Sequence, residues 1–542
     1  MLSKISALSV VGASYSGKGG YGSEIFYAVQ EECSNFNGHV GCTSGQQTRY
    51  PDDWSKRSFQ TFLKDGPDAH MWKAGYEGLG RVMCYNDVKY EAGRKAATVT
   101  ATCRKHDSVT KMEYNWDGKG YTAEDHIKVD SSRKEMVTLS VKATDKDGKE
   151  YTITVEPSNF VWQAPNIPQG PQYLNGQKGA IVELFGWPYA DVKEECAFLA
   201  QAGYMGVKVF PPQESVFSNE WPQSGELNPW WFIYQPVSYK LSGRNGSRQE
   251  LKDMIDTCRA AGVRVYADAV VNHMSGGGND VWDSHRNGNG GGCAYWGHKE
   301  STGDSPYFTQ DFMYKTSNNT GLEPGMEYPN SQYIATDFHC ERSLSSWTDP
   351  FILNNGWLVG LSDLDTESEY VRKRIAAYFT DLLGIGFSGF RIDAAKHIYP
   401  ESLAAIMKNF KDNLGGGDLP EDFITYLEVI MGGEMQLLMC NKGIYNFGQS
   451  FAEFMQQHGL SQSDINKVKI WESAYPKEFP ECGSWQIPSE RFVAQNDCHD
   501  DQNPGSSSRD MGDKGSVYVK EKDADKHRGF EVQLFSRTDG NW

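Results

Sequence analysis

Gly386-Phe-Ser-Gly-Phe-Arg-Ile-Asp-Ala-Ala-Lys-His397 reads as one strand whose last residues carry charge. Side chains alternate along a strand, so Phe387, Gly389, Arg391 and Asp393 share one face and Ser388, Phe390 and Ile392 the other. In a parallel barrel, Gly389 would lie deep in the packed interior. Arg391 and Asp393 would then emerge at the carboxyl-terminal mouth, where such barrels keep their active sites. A guanidinium beside a carboxylate holds it ionised, which suits a nucleophile. A structural Arg-Asp ion pair fits the same residues equally well.

On both sides of this stretch, strand and helix patterns alternate, as a parallel βα architecture requires. Strands are expected at 181–185, 207–210, 263–268, 423–428, 450–454 and 491–496. A helix over 191–202 stops at Gly203. Ser247 with Glu250 forms a capping box, and Leu251, Met254, Ile255 and Cys258 make the buried stripe of the helix it opens. Thr366 with Glu369 predicts a second box, followed by Val371, Ile375, Tyr378, Phe379 and Leu382. Leu403, Ile406, Met407 and Phe410 mark a further helix. Between 275 and 365 the rhythm gives way to Gly-, Asn- and Ser-rich sequence, too long for a plain loop and read as a small inserted domain.

Residues 17–160 lack this rhythm and read as a β-rich domain. Val137, Leu139 and Val141, then Tyr151, Ile153 and Val155, alternate around the turn residues Asp145-Lys-Asp-Gly148, which predicts a hairpin. Cys33, Cys42, Cys84 and Cys103 could staple this unit. As a carbohydrate-binding sandwich it would offer Trp54, Trp72 or Trp116 for stacking, although core burial is the commoner fate of any one tryptophan. Pro165, Pro168 and Pro171 mark a linker over 161–178.

The chain of 542 residues carries a net charge of −18, which argues against nucleic acid or an anionic membrane surface and is compatible with a neutral polysaccharide. Its 15 tryptophans are enough to serve as binding surfaces as well as core. Eleven cysteines without close Cys/His metal spacing point to disulfides, an oxidising compartment and secretion, with one thiol left over. Residues 1–16 form a weak signal-peptide pattern, Asn245-Gly-Ser247 and Asn318-Asn-Thr320 are glycosylation sequons, and no run is long enough to span a membrane.

The opening stretch resembles the second signature region of the α-amylase family, glycoside hydrolase family 13, and three more stretches resemble the other signatures in family order. The animal-type enzymes are the nearest in pattern, and the resemblance covers about 179–540. It implies a (β/α)8-type TIM barrel with a small domain inserted after the third strand. The barrel would run over 179–274 and 366–542 around the inserted domain at 275–365, preceded by the β-rich domain. The family's eighth strand and following β-domain are not found here; the last element read is a helix at about 523–535.

By resemblance Asp393 is the nucleophile. Glu428, in Thr425-Tyr-Leu-Glu428-Val-Ile-Met-Gly-Gly-Glu434, matches the general acid/base; Ile424, Tyr426 and Glu428 face one way. Glu434 lies near the leaving-group side. The fourth signature, Phe492-Val-Ala-Gln-Asn-Asp-Cys-His499-Asp500, has three extra residues. His499 and Asp500 align with the pair that stabilises the transition state, and Asp497 is an alternative third carboxylate. The insertion displaces an asparagine of the family's chloride site, so chloride is in question. Asp268-Ala-Val-Val-Asn272-His273 matches the first signature, with Asp268 and His273 in the active-site wall. Asn272 and Asp363, with the carbonyls of His397 and Asn354, would hold calcium. Trp230, Trp231, Tyr234 and Gln235 resemble a donor-side sugar platform, Lys396 and His397 are acceptor-side contacts, and Arg391 joins His499 and Asp500 in stabilising the distorted sugar. Cys196 and Cys258 resemble a family disulfide, and Cys293 with Cys340 is a looser pairing. The implied activity is endo-hydrolysis of α-1,4-glucosidic bonds in starch or glycogen with retention, by a monomer. A catalytically inactive glucan-binding homologue and a transglycosylase are the alternatives.

Overall fold

The computed structural model describes residues 81–162, 179–216, 230–276 except 244, short segments between 305 and 339, 342–430, 447–471, 491–493 and a few positions between 525 and 536. Six strands come first: β1 (Val82–Tyr90), β2 (Ala96–Lys105), β3 (Val109–Trp116), β4 (His126–Asp130), β5 (Val137–Asp145) and β6 (Glu150–Ser158). They form two three-stranded antiparallel sheets, β1-β2-β4 and β3-β5-β6. The hairpin expected around Asp145-Gly148 is β5-β6. Its turn closes because the Asp145 carboxylate accepts the N–H groups of Asp147 and Lys149, both at 2.9 Å. Cys84 and Cys103 stand opposite each other on β1 and β2 and are joined. Trp116 is buried and its indole N–H donates to the carbonyl of Glu124 at 3.0 Å, so it is a core residue and not a stacking surface. Trp54, Trp72, Cys33 and Cys42 lie outside the described residues, as do Cys293 and Cys340.

The second body is built on a parallel sheet. Its elements in chain order are β7 (Ile181–Glu183), α1 (Tyr189–Ala202), β8 (Gly206–Val209), α2 (Arg248–Ala260) and β9 (Arg264–Ala269). The inserted segment supplies two short antiparallel ladders, β10 (Ser305–Phe308) with β11 (Met313–Thr316) and β12 (Met326–Tyr328) with β13 (Tyr333–Ile334), and then α3 (Pro350–Asn355). The sheet resumes with α4 (Glu369–Ile385), β14 (Gly389–Ile392), α5 (Pro400–Asn413), β15 (Ile424–Glu428), α6 (Gln449–Gln457), α7 (Gln462–Lys467), β16 (Val468–Trp471) and β17 (Phe492–Val493). The spatial order is β7-β8-β9-β14-β15-β16-β17, every pair parallel. Among the described residues the sheet has these seven strands, and none of the described helices is long and apolar enough to cross a membrane.

Alternation divides the sheet as a barrel requires. Val265, Ala267, Phe390, Ile392 and Leu427 face the helices, where Phe390 stacks on Phe379 at 4.4 Å and meets Phe410 and Phe423 edge-on. Tyr266, Ile424 and Tyr426 form a separate cluster on the other face. The helix over 248–260 starts at the predicted capping box, with Ser247 and Glu250 bonded reciprocally, and Cys258 on its buried face is joined to Cys196 of α1.

Two expectations are corrected, and a third gains its reason. Residues 450–454 belong to helix α6, where Phe451 and Met455, four apart, are fully buried; the sixth strand is β16. The box at Thr366 and Glu369 does not form: α4 is preceded by Ser368, and the Asp365 carboxylate occupies the N–H groups of Glu367 and Ser368 instead. Gly389 is buried as expected, and its backbone is what requires a glycine. It has φ of 149°, and a Cβ there would stand 1.6 Å from the carbonyl oxygen of Ile424 on the neighbouring strand. Gly389→Ala is therefore expected to force β14 away from β15 and to cost at least about 3 kcal/mol, more than an ordinary strained position. Denaturant unfolding reads this directly, and a loss under 1 kcal/mol would show that the strand pair can yield without cost.

Candidate active site

Three adjacent strands deliver one carboxylate each to the same guanidinium. β9 brings Asp268, β14 is followed at once by Asp393, and β15 ends in Glu428. Arg391 is fully buried between them. Its Nη1 donates to Asp268 Oδ1 at 2.7 Å and to Asp393 Oδ1 at 2.8 Å, and its Nη2 donates to Glu428 Oε1. Burial disfavours the arginine's charge, but Asp268, Glu428 and Asp393 outweigh it and hold the group protonated well above its ordinary range. Ala394 adopts a left-handed conformation (φ 49°), rare for a residue with a Cβ, and this turns its N–H onto Glu428 Oε2 at 2.7 Å.

Asp268 has two further donors: Lys208 Nζ at 3.0 Å and the Tyr234 hydroxyl at 2.8 Å, both on Oδ2. Tyr234 closes the 3-10 turn Trp230–Tyr234, and its carbonyl lies 3.0 Å from His273 Nε2. Burial lowers the pKa of His273, which keeps the ring neutral. Above these groups opens a cleft of about 540 Å³ lined by Trp231, Tyr234, Gln235, His273, Asp393, Lys396, His397 and Glu428, together with Trp347 and the Leu358–Leu361 turn. Trp230 begins the 3-10 turn, but its side chain is outside the described residues; Glu434, Asp497, His499 and Asp500 are outside them altogether.

The four residues expected to hold a cation fall into two contacts. The Asn272 amide donates to Asp363 Oδ1 at 3.1 Å, and His397 Nδ1 lies 2.8 Å from the carbonyl of Leu353, the neighbour of buried Asn354. Burial drives the Asp363 carboxyl up to about 7 even with His339 Nδ1 2.7 Å from its Oδ2, and drives His397 down to about 3. His339 is held as a cation by Asp363, Asp365 and Glu367, which outweigh its burial. A buried carboxylate and an amide that presents Oδ1 when turned over are oxygen ligands of the kind a hard cation takes, although His339 already stands on Asp363 Oδ2.

Sequence reasoning missed Trp347, Lys208, Glu183 and His339. Trp347 is 47% exposed, its ring 4.7 Å from Lys396 Nζ and 5.9 Å from the His397 ring. Its only signal was an aromatic residue within turn-forming Ser345-Ser-Trp-Thr-Asp-Pro350. Lys208 could have been found as a charge inside the otherwise apolar strand Gly206-Val-Lys-Val209.

Residues 237–429 match the family model described as the alpha amylase catalytic domain. The pancreatic alpha-amylase 2a5 of Mus musculus is 33% identical over 361 residues, covering 65% of this chain and 62% of that protein. The alpha-amylase of Tribolium castaneum is 35% identical over 293 residues, 53% of this chain and 51% of its own length. The crystal structure of alpha-amylase I from Eisenia fetida aligns with a TM-score of 0.44 at 24% identity, covering 67% of this chain and 65% of that one. The chain thus spans less than two thirds of the length of each.

Proposed function

From a chain whose residues 237–429 match the family model of the alpha amylase catalytic domain, we propose an endo-acting hydrolase of α-1,4-glucosidic bonds in starch or glycogen that retains anomeric configuration. The observation that carries this reading is the single buried guanidinium of Arg391 gathering Asp268, Asp393 and Glu428 at the floor of an aromatic-lined cleft. Retaining glycoside hydrolysis needs one carboxylate to attack the anomeric carbon and one carboxylic acid to protonate the leaving oxygen. Asp393, held in place by Arg391, attacks. Glu428 gives its proton to the departing oxygen, then takes one from water in the second step. Asp500 with His499 stabilises the distorted sugar, and Glu434 attends the leaving group.

Trp230, Trp231, Tyr234 and Gln235 stack on and hydrogen-bond the donor sugars, with His273 at the wall, while Lys396, His397 and Trp347 receive the acceptor side. Asn272, Asp363 and the carbonyls of His397 and Asn354 would hold calcium, which when bound would add positive charge at Asp363 Oδ1 to that of His339 at Oδ2. The disulfides Cys84–Cys103 and Cys196–Cys258 suit an oxidising, extracellular setting.

Reducing-sugar release from soluble starch tests the reading, with NMR of the first product anomer deciding retention. Chelation is expected to abolish the activity and lower Tm, and added calcium to restore both; an undiminished rate after exhaustive chelation would remove calcium from the account. Trp347→Ala is expected to raise KM about tenfold with kcat little changed, since one exposed aromatic platform contributes about 1.4 kcal/mol. An unchanged KM for long and short maltooligosaccharides would show that no sugar rests there.

A further inference from the structure

A second buried cation lies in the barrel interior, and the double displacement described above does not use it. Lys208 on β8 is 4% exposed, with Nζ 2.6 Å from Glu183 Oε1 on β7 and 3.0 Å from Asp268 Oδ2 on β9. The other groups that face this cluster are Tyr234, whose hydroxyl donates to Asp268, Arg391 on β14, and Tyr426 on β15. Among the described residues of this cluster, two cations, Lys208 and Arg391, therefore stand against four carboxyls: Glu183, Asp268, Asp393 and Glu428. Asp268 lies between the two cations, with Arg391 on Oδ1 and Lys208 on Oδ2. Arg391 Nη1 is shared between Asp268 and Asp393, so whatever Asp268 lacks in counter-charge it draws from the nitrogen that also holds the nucleophile.

We propose that Lys208 is a positioning residue for the reaction: backed by Glu183, it satisfies Asp268 from the side opposite Arg391 and so leaves the guanidinium seated on Asp393 and Glu428. The inference rests on the hydrolase reading above and adds to it a residue that never touches substrate. Lys208 is held protonated despite its burial, because Asp268 and Glu183 together outweigh the cost of desolvation.

The test is a charge cycle at the two positions. Lys208→Met removes a positive charge from beneath the carboxyls, so proton affinity rises at each of them. Both limbs of the kcat pH profile are expected to move up by about one unit. kcat at the parental optimum is expected to fall about tenfold, with KM within about twofold, as misalignment of groups used only in the transition state requires. Glu183→Gln alone removes a negative charge and moves both limbs down. Lys208→Met with Glu183→Gln restores the charge balance and brings the limbs back toward the parental positions.

Thermal melts of the same four chains need no substrate. The double variant is expected to melt above Lys208→Met alone, because removing the Glu183 charge relieves its repulsion of Asp268 once the lysine between them is gone. A role in packing alone leaves the pH limbs in place and gives a double variant no more stable than the single; either result overturns the proposal. If Lys208→Met does not fold, the downward shift in Glu183→Gln carries the test, and its absence overturns the proposal. A parental chain that melts cooperatively but releases no sugar overturns the hydrolase reading, and the melts then decide the Lys208–Glu183 coupling separately.

Discussion

Asp393→Asn is expected to lower starch hydrolysis by about four orders of magnitude while leaving the fold and maltooligosaccharide binding in place. The amide keeps the shape of the carboxylate and still offers an oxygen to Arg391 Nη1, which now donates to Asp393 Oδ1 at 2.8 Å. What it lacks is the charge and lone-pair reactivity that bond to the anomeric carbon. Removing one negative group from a cluster in which carboxyls outnumber cations costs little stability, so the melting temperature is expected to hold within a few degrees. Rates from purified protein, beside isothermal titration with maltohexaose, separate chemistry from binding. A variant within tenfold of the parent would exclude Asp393 as the nucleophile, whereas a parent that binds glucan but releases no sugar would identify an inactive homologue.

Arg391→Met is expected to be the most destabilising single change at the site. The side chain is fully buried and donates to three carboxylates, and replacing it by an uncharged chain of similar length leaves them facing one another across the sheet. Removing one partner from a buried ion pair costs about 3–5 kcal/mol, which for a body of this size lowers Tm by about 10 °C. Lys208, the Tyr234 hydroxyl and the Ala394 N–H remain as donors and limit the loss. Part of the stability should return at low pH, because protonating the carboxyls removes their repulsion. Melts at pH 7 and pH 4.5 check both the size and the sign; a variant melting within 2 °C of the parent at pH 7 would show that the three carboxyls do not depend on this guanidinium.

The sequence was most readable where pattern and chemistry coincide. The shared face of Arg391 and Asp393, and of Ile424, Tyr426 and Glu428, follows from strand alternation, and Ser247 with Glu250 announces a helix start by side-chain chemistry alone. Residues 450–454 read as a strand because Ser-Phe-Ala-Glu-Phe is too short a run to fix a period; the helical spacing shows only when Met455 is set beside Phe451. β16 was missed because Val468-Lys-Ile-Trp471 is four residues long with a lysine in its middle. Gly389 could not be explained from one strand, since its reason is the Ile424 carbonyl of another. Lys208, Glu183 and Asp268 sit on three strands, and only the sheet order β7-β8-β9 brings them together.

The contact between Arg104 on β2 and Asp337 bears on synthesis. Arg104 donates to both oxygens of Asp337, 233 residues later in the chain, and Gln332 donates to the carbonyl of Cys84, 248 residues earlier. At about 5–20 residues added per second, the ribosome delivers these partners roughly 10–50 s after the strands that receive them. The two antiparallel sheets are therefore complete, with this face bare, while the inserted segment is still being translated. That delay makes the face one that a chaperone can hold, and pulse-labelled nascent chains stalled between residues 160 and 330 should be the species it retains.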